Sequence, residues 1–273
     1  MEFEVGGKSV FATTGGKPFD ANKPVVVFLH GSGFDHTIWG LHSRFFAFRG
    51  YSVLVPDLPG HTHSEGPPLE SIEAMADWLN DCIEALGAKD VSVVAHSQGC
   101  LVALEYASRF PKALRSVSFI TSGLATPVNP ALIEAAEQDP EAAIAMMLGW
   151  GFGPAGHLHQ GPIPGNSMVG GGRKVMRGNT PAALATDLKA CDAYRNGRKA
   201  AQAITAPTQV LIAGKDRMAP AKATAELVEH LREPEVTVIA ESGHILPQEA
   251  PDRCRMLLRD FIFRHNPATK IAA

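Results

Sequence analysis

Three residues of this chain have the types and the placing that nucleophilic catalysis needs. Ser97 follows an apolar run in "VSVVAHSQGCLVALEYA", Asp216 follows another in "TQVLIAGKD", and His244 follows a third in "EVTVIAESGH". A serine hydroxyl is a poor nucleophile at neutral pH. It needs a base within hydrogen-bond reach, and the base needs a partner that orients it. Imidazole suits the base because it changes charge near neutral pH, and a carboxylate suits the orienting partner. Each residue also has an ordinary reading. Ser97 is equally at home in a strand-to-helix turn, Asp216 can cap the helix pattern "RMAPAKATAELVEHL", and His244 can be a loop histidine.

The elements around them decide whether they meet. "PVVVFLH", "YSVLVPD", "VSVVAH", "LRSVSFI" and "TQVLIAG" are short continuous apolar runs, the pattern of strands buried on both faces. "EVTVIA" is a more amphipathic last strand, and the opening alternates around Gly6-Gly7 like a hairpin. Helical patterns lie between the runs. "SIEAMADWLNDCIEALG" begins on a Ser71 cap and stops at Gly87. The alternation predicts an α/β fold: a mostly parallel central sheet of about eight strands, helices on both faces, and a helical cap or lid insertion. Ligands in such sheets bind beyond the carboxyl ends of the strands. Those ends deliver "HGSGF" (His30 to Phe34), "DLPGHTHSEG" from Asp57, "HSQG" with Ser97, "GKD" with Asp216 and "ESGH" with His244.

One stretch breaks the alternation. Residues 123–203 carry helix-like pieces and no buried strand, so 1–122 and 204–273 are expected to form the core and 123–203 the insertion. "GWGFGPAGHLHQGPIPGNSMVGGG", rich in glycine and proline, is expected to be a long loop over the sheet's carboxyl edge. Met146, Met147 and Trp150 beside it either pack the insertion or wall an apolar pocket, and Phe34, Trp39 and Leu124 can join that wall. His157 and His159 have metal-compatible spacing, but no cysteine or carboxylate cluster joins them, so no metal is expected.

Taken together, these motifs resemble the α/β-hydrolase family over nearly the whole chain. "AHSQG" resembles its nucleophile elbow, with Ala95 where glycine is usual and Gly99 retained. The resemblance implies that Ser97 is the nucleophile, His244 the base and Asp216 the acid. It assigns the oxyanion donors to the backbone N–H groups of Gln98 and of Ser32, with Gly33 as the alternative to Ser32. The "DLPGHTHSEG" loop has a structural role in the family; here Thr62 replaces its usual glycine. "TSG" after the Leu114 strand offers no carboxylate, which favours Asp216. Asp187 and Asp192 are expected to be solvated or capping residues. A serine nucleophile argues against the dehalogenase and epoxide hydrolase branches. It leaves hydrolysis of a carboxylic ester or lactone as the leading expectation, carbon–carbon hydrolysis of diketone ring-fission products as the next, and a non-catalytic ligand receptor as the third.

Composition narrows the partners. With 273 residues, 45% hydrophobic and 19% charged, the chain is long enough for a large core. A formal net charge of −3 without a basic cluster disfavours nucleic acid and anionic membranes. A small-molecule substrate and no cofactor are expected, with a monomer or a homodimer equally compatible. The acidic start lacks the pattern of a signal peptide, so a cytoplasmic location is the expectation. Cys82, Cys100, Cys191 and Cys254 are scattered and read as buried thiols.

Overall fold

The computed structural model describes residues 1–158, 165 and 167–268. Its frame is an eight-stranded sheet ordered β1-β2-β4-β3-β5-β6-β7-β8. The strands are β1 Glu2–Val5, β2 Lys8–Thr13, β3 Val25–Leu29, β4 Ser52–Pro56, β5 Val91–His96, β6 Leu114–Ile120, β7 Thr208–Ala213 and β8 Glu235–Ile239. β1 and β2 form the expected antiparallel hairpin, β2 pairs antiparallel with β4, and all the remaining pairs are parallel.

Burial explains the sequence pattern. Every residue of β3, β4 and β5 is buried, because helices cover both sheet faces. β8 is an edge strand, and Val236 and Val238 stay exposed there. Two apolar clusters flank the sheet. One packs helix Ile72–Ala85 and helix Gln98–Arg109 against it, and the other packs Trp39, Phe46, Phe261 and residues of the insertion. Helix Ile72–Ala85 starts where the Ser71 hydroxyl accepts the Ala74 N–H at 3.1 Å. Such a cap contributes about 1 kcal/mol. All four cysteines are buried and free; burial pushes the Cys191 thiol up to about 12.

Strand order also creates the crevice. The chain runs from β3 outward to β4, then returns past β3 to β5 and continues to the other edge. The switch point therefore lies between β3 and β5, where an open α/β sheet holds its ligand. β3 leads there into His30-Gly31-Ser32, and β5 leads into Ser97.

Among the described residues, no strand lies between β6 and β7; the connection is helical. It contains Pro130–Gln138, Pro140–Gly151, Pro154–His157, Met168–Arg177, Ala183–Ala193 and Gly197–Ala203. Two sequence expectations change here. The helix-like run "PALIEAAEQDPEAAIAMMLGW", which reads as one piece, is broken at Asp139-Pro140, where the Asp139 carboxylate caps the second helix by accepting the Ala142 N–H at 3.2 Å. The glycine-rich "SMVGGG" is not loop: Ser167 caps a helix that runs through all three glycines. The reason is tertiary. A Cβ on Gly172 would sit 2.7 Å from Leu148 Cδ2, so the missing side chain lets two helices approach closely, which offsets glycine's poor helix propensity. His157 ends a short helix, while His159 lies outside the described residues. Among the described residues, no helix is long and apolar enough to cross a membrane.

Candidate active site

β5 passes into helix Gln98–Arg109 through a single residue, Ser97, at φ 54° and ψ −122°. A non-glycine residue held there costs on the order of 1–3 kcal/mol, which only a firm surrounding can maintain. The Ser97 N–H donates to the Ile120 carbonyl at 3.1 Å, and its own carbonyl accepts the Cys100 N–H at 2.8 Å. A Cβ on Gly99 would lie 2.7 Å from the His30 carbonyl oxygen, so glycine is needed where helix and β3 approach. Ala95 is fully buried between Leu29 and Phe119, so its methyl group is absorbed into the core.

Asp216 stands in the turn after β7. Its Oδ1 accepts the N–H groups of Met218 and Ala219, each at 2.8 Å. Its Oδ2 is 2.8 Å from His244 Nδ1, and His244 Nε2 is 2.8 Å from Ser97 Oγ. A carboxylate only accepts, so His244 carries its proton on Nδ1 and turns the lone pair of Nε2 toward the serine. Burial alone would raise the Asp216 carboxyl, but His244 and the two N–H donors outweigh it and hold it below the usual range. The sequence thus named three residues that lie in one hydrogen-bonded row.

The residues that hold His244 in place were not foreseen. Its carbonyl oxygen accepts from His96 Nε2 at 2.9 Å and lies 3.0 Å from the Thr121 hydroxyl. Burial, then the neighbouring His244, pushes the His96 imidazole down to about 3, so it remains a neutral donor. Glu249 Oε2 accepts the N–H groups of Gly153, at 2.9 Å, and Gly243, at 3.1 Å, tying the insertion to the His244 turn. His96 adjoins Ser97 in sequence, which is the only signal that could have drawn attention to it.

The loop after β3 differs from expectation in detail. The Gly33 N–H donates to Asp187 Oδ2 at 2.8 Å, which removes Gly33 from the candidate oxyanion donors. The Ser32 N–H has no acceptor among the described residues, and Gln98 opens its helix, where N–H groups lack intrahelical partners. The Gln98 side chain is buried, with Nε2 3.6 Å from Met75 Sδ and 3.5 Å from the Asp187 carbonyl. Asp187 is neither solvated nor capping: it is fully buried and lies 2.9 Å from His61 Nε2. Asp192 is half-buried and caps no helix among the described residues; it accepts the Val128 N–H at 2.9 Å, just before the Asn129 cap of helix Pro130–Gln138. Asp57 is structural, accepting the His36 N–H at 2.8 Å. Thr62 stands at φ 39°, in the left-handed region that favours glycine.

Ser97 and His244 open into a cavity of about 210 Å³ beneath the insertion. Met147 and Trp150 line it as expected, with Leu132, Leu188 and Met218 beside them. Phe34 lines a smaller adjoining recess that also reaches Ser97. Three other expectations are corrected. Trp39 is wholly buried against Phe28, their rings 5.1 Å apart. Leu124 packs into the core on the opposite sheet face from the cavity's methionines, and Met146 packs within the insertion.

Residues 26–256 match the model of the alpha/beta hydrolase family. Over 245 residues the chain is 24% identical to Protein ABHD8 of Bos taurus; the match takes in 87% of this chain and 56% of that protein, so the chain spans little more than half its length. Among solved structures, the enol-lactonase from Burkholderia xenovorans LB400 superimposes with a TM-score of 0.85 at 20% identity, covering 96% of this chain and 99% of that one. A thermophilic esterase from Thermogutta terrifontis gives 0.84 at 19% identity, covering 97% and 99%. At such identities these two likenesses speak for the fold. The family match runs from the first parallel strand to the last helix, and the chain belongs to the alpha/beta hydrolase family.

Proposed function

We infer that this chain is a serine hydrolase that cleaves a carboxylic ester or lactone of small or medium apolar character through an acyl-enzyme. The observation that carries this reading is the unbroken row from Ser97 Oγ to His244 to Asp216, open to a cavity whose lining mixes apolar side chains with Thr126, Asn129 and Arg217. His244 Nε2 takes the hydroxyl proton as Oγ attacks the carbonyl carbon. Asp216 steadies the imidazolium that forms. The N–H groups of Gln98 and Ser32 are the donors for the oxyanion. As the intermediate collapses, the carbon–oxygen bond to the alcohol breaks and His244 gives its proton to that leaving oxygen. Water then attacks the acyl-enzyme by the reverse proton path, releasing the acid and restoring Ser97. Removing one oxyanion donor typically costs about a hundred- to a thousand-fold in rate.

Residues 123–203 act in this reading as a cap over a core of 1–122 and 204–273. Leu132, Met147, Trp150 and Leu188 favour an apolar acyl or alcohol group. Similarity to an esterase and an enol-lactonase supports this class of reaction. The test compares p-nitrophenyl butyrate and a simple lactone with a vinylogous diketone, at equal enzyme concentration. Ester or lactone turnover well above diketone turnover is expected. A preference for the diketone would transfer the site to carbon–carbon hydrolysis. Tight ligand binding without any product would make the chain a receptor.

A further inference from the structure

Gly33, next to the Ser32 donor, is gripped by the insertion on both sides of its backbone. Its N–H donates to Asp187 Oδ2 at 2.8 Å, and its carbonyl accepts from Asn179 Nδ2 at 2.7 Å. Gly33 sits at φ 69°, and a Cβ there would come within 3.0 Å of Leu184 Cδ1 and 3.5 Å of Met176 Cγ. Both of those side chains also belong to the insertion. Asn179 Oδ1 in turn accepts the Thr62 N–H at 3.1 Å, and Thr180 donates twice to the Gly60 carbonyl, at 3.1 Å from its N–H and 2.9 Å from its hydroxyl. One segment of the insertion thus fastens two core loops together.

The anchor of this arrangement is a buried ion pair. His61 Nδ1 faces the Pro59 carbonyl at 3.2 Å and Nε2 faces Asp187 Oδ2 at 2.9 Å. Both partners are acceptors, so both ring nitrogens donate and the ring is an imidazolium. Burial alone would lower the His61 imidazole, but Asp187 outweighs it and holds it above the usual histidine range. Burying a charge pair is a poor way to gain stability, because desolvation consumes most of the attraction. Its better-attested use is to fix one geometry, and here that geometry is the backbone at Gly33.

We propose that Asp187 and Asn179 are positioning residues through which the insertion sets the aim of the Ser32 N–H at the oxyanion. This rests on the reading of Ser32 as an oxyanion donor. Neither side chain touches the substrate; both act through Gly33. An ångström of drift in such a donor costs about a hundred-fold in rate, so a loosened grip lowers kcat more than substrate binding.

Asp187→Asn and Asn179→Ala test the proposal with p-nitrophenyl butyrate and with an alkyl trifluoromethyl ketone, whose hemiketal with Ser97 carries the same oxyanion. The expected result is a ten- to hundred-fold lower kcat in each variant. KM should stay within about two-fold, and ketone affinity should fall in parallel with kcat. A raised KM with kcat and ketone affinity unchanged would mean that these residues merely dock the insertion, and would overturn the proposal. Should Asp187→Asn fail to fold, Asn179→Ala, which leaves the ion pair intact, decides the matter. If wild-type enzyme turns over no ester, the functional reading fails and the proposal falls with it. If wild-type turnover depends on Ser97 while both variants behave as wild type, this proposal alone fails.

Discussion

Replacing Ser97 by alanine is expected to lower kcat for p-nitrophenyl butyrate by about four to six orders of magnitude. The hydroxyl 2.8 Å from His244 Nε2 is the proposed attacking group, and the small side chain of alanine offers no substitute. What rate remains would come from the oxyanion donors and from binding. The fold should be unaffected. The N–H and carbonyl of residue 97 keep their bonds to Ile120 and Cys100, and the backbone angle is as awkward for alanine as for serine. Circular dichroism and thermal unfolding should therefore match wild type while turnover disappears. Near-normal turnover in that variant would remove Ser97 from the chemistry.

Asp216→Asn should cost about ten-thousand-fold in kcat, for a reason visible in the hydrogen bonds. Oδ1 of Asp216 accepts two backbone N–H groups, from Met218 and Ala219. An asparagine must keep its carbonyl oxygen there, since an amide NH2 cannot accept. That choice turns its NH2 toward His244 Nδ1. Nδ1 must then accept, the proton moves to Nε2, and the imidazole can no longer take a proton from Ser97. Asp216→Ala should be similarly inactive, but without an amide to impose the wrong tautomer. Its turnover should recover in part with added formate, whereas that of Asp216→Asn should not. A loss below about ten-fold in the asparagine variant would assign the acid role elsewhere.

The hydrogen-bonded row of Ser97, His244 and Asp216 was legible in the sequence because each member follows its own strand-like run. β5 and β7, which precede Ser97 and Asp216, are buried almost throughout, so their runs are continuous and their ends sharp, while His244 follows the more amphipathic edge strand β8. Strand ends in a parallel sheet gather on one edge, and that fixes Ser97 and Asp216 near each other before any contact is known. The insertion obeys no such rule. Gly170 to Gly172 read as loop because glycine disfavours helices, yet a Ser167 cap and the close approach of Gly172 to Leu148 support a helix there. Asp187 read as a surface residue because charged residues usually are. Its partner His61 stands 126 positions away, and no local pattern reports a pairing at that distance. His96 and Thr121 escaped notice for the same reason: both meet the backbone of His244 rather than a neighbour in sequence. Trp39 was placed in the pocket wall by type alone, and type does not say which way a ring turns.

Everything proposed for this chain requires that the hydroxyl of Ser97 be unusually reactive in the folded protein. Incubation with a fluorophosphonate, followed by mass spectrometry of the digested protein, measures that directly. One phosphonyl adduct on the peptide containing Ser97 is predicted, with labelling lost after heat denaturation and absent from His244→Ala. An unlabelled Ser97 in native protein, or an adduct carried by a different serine, would contradict the account.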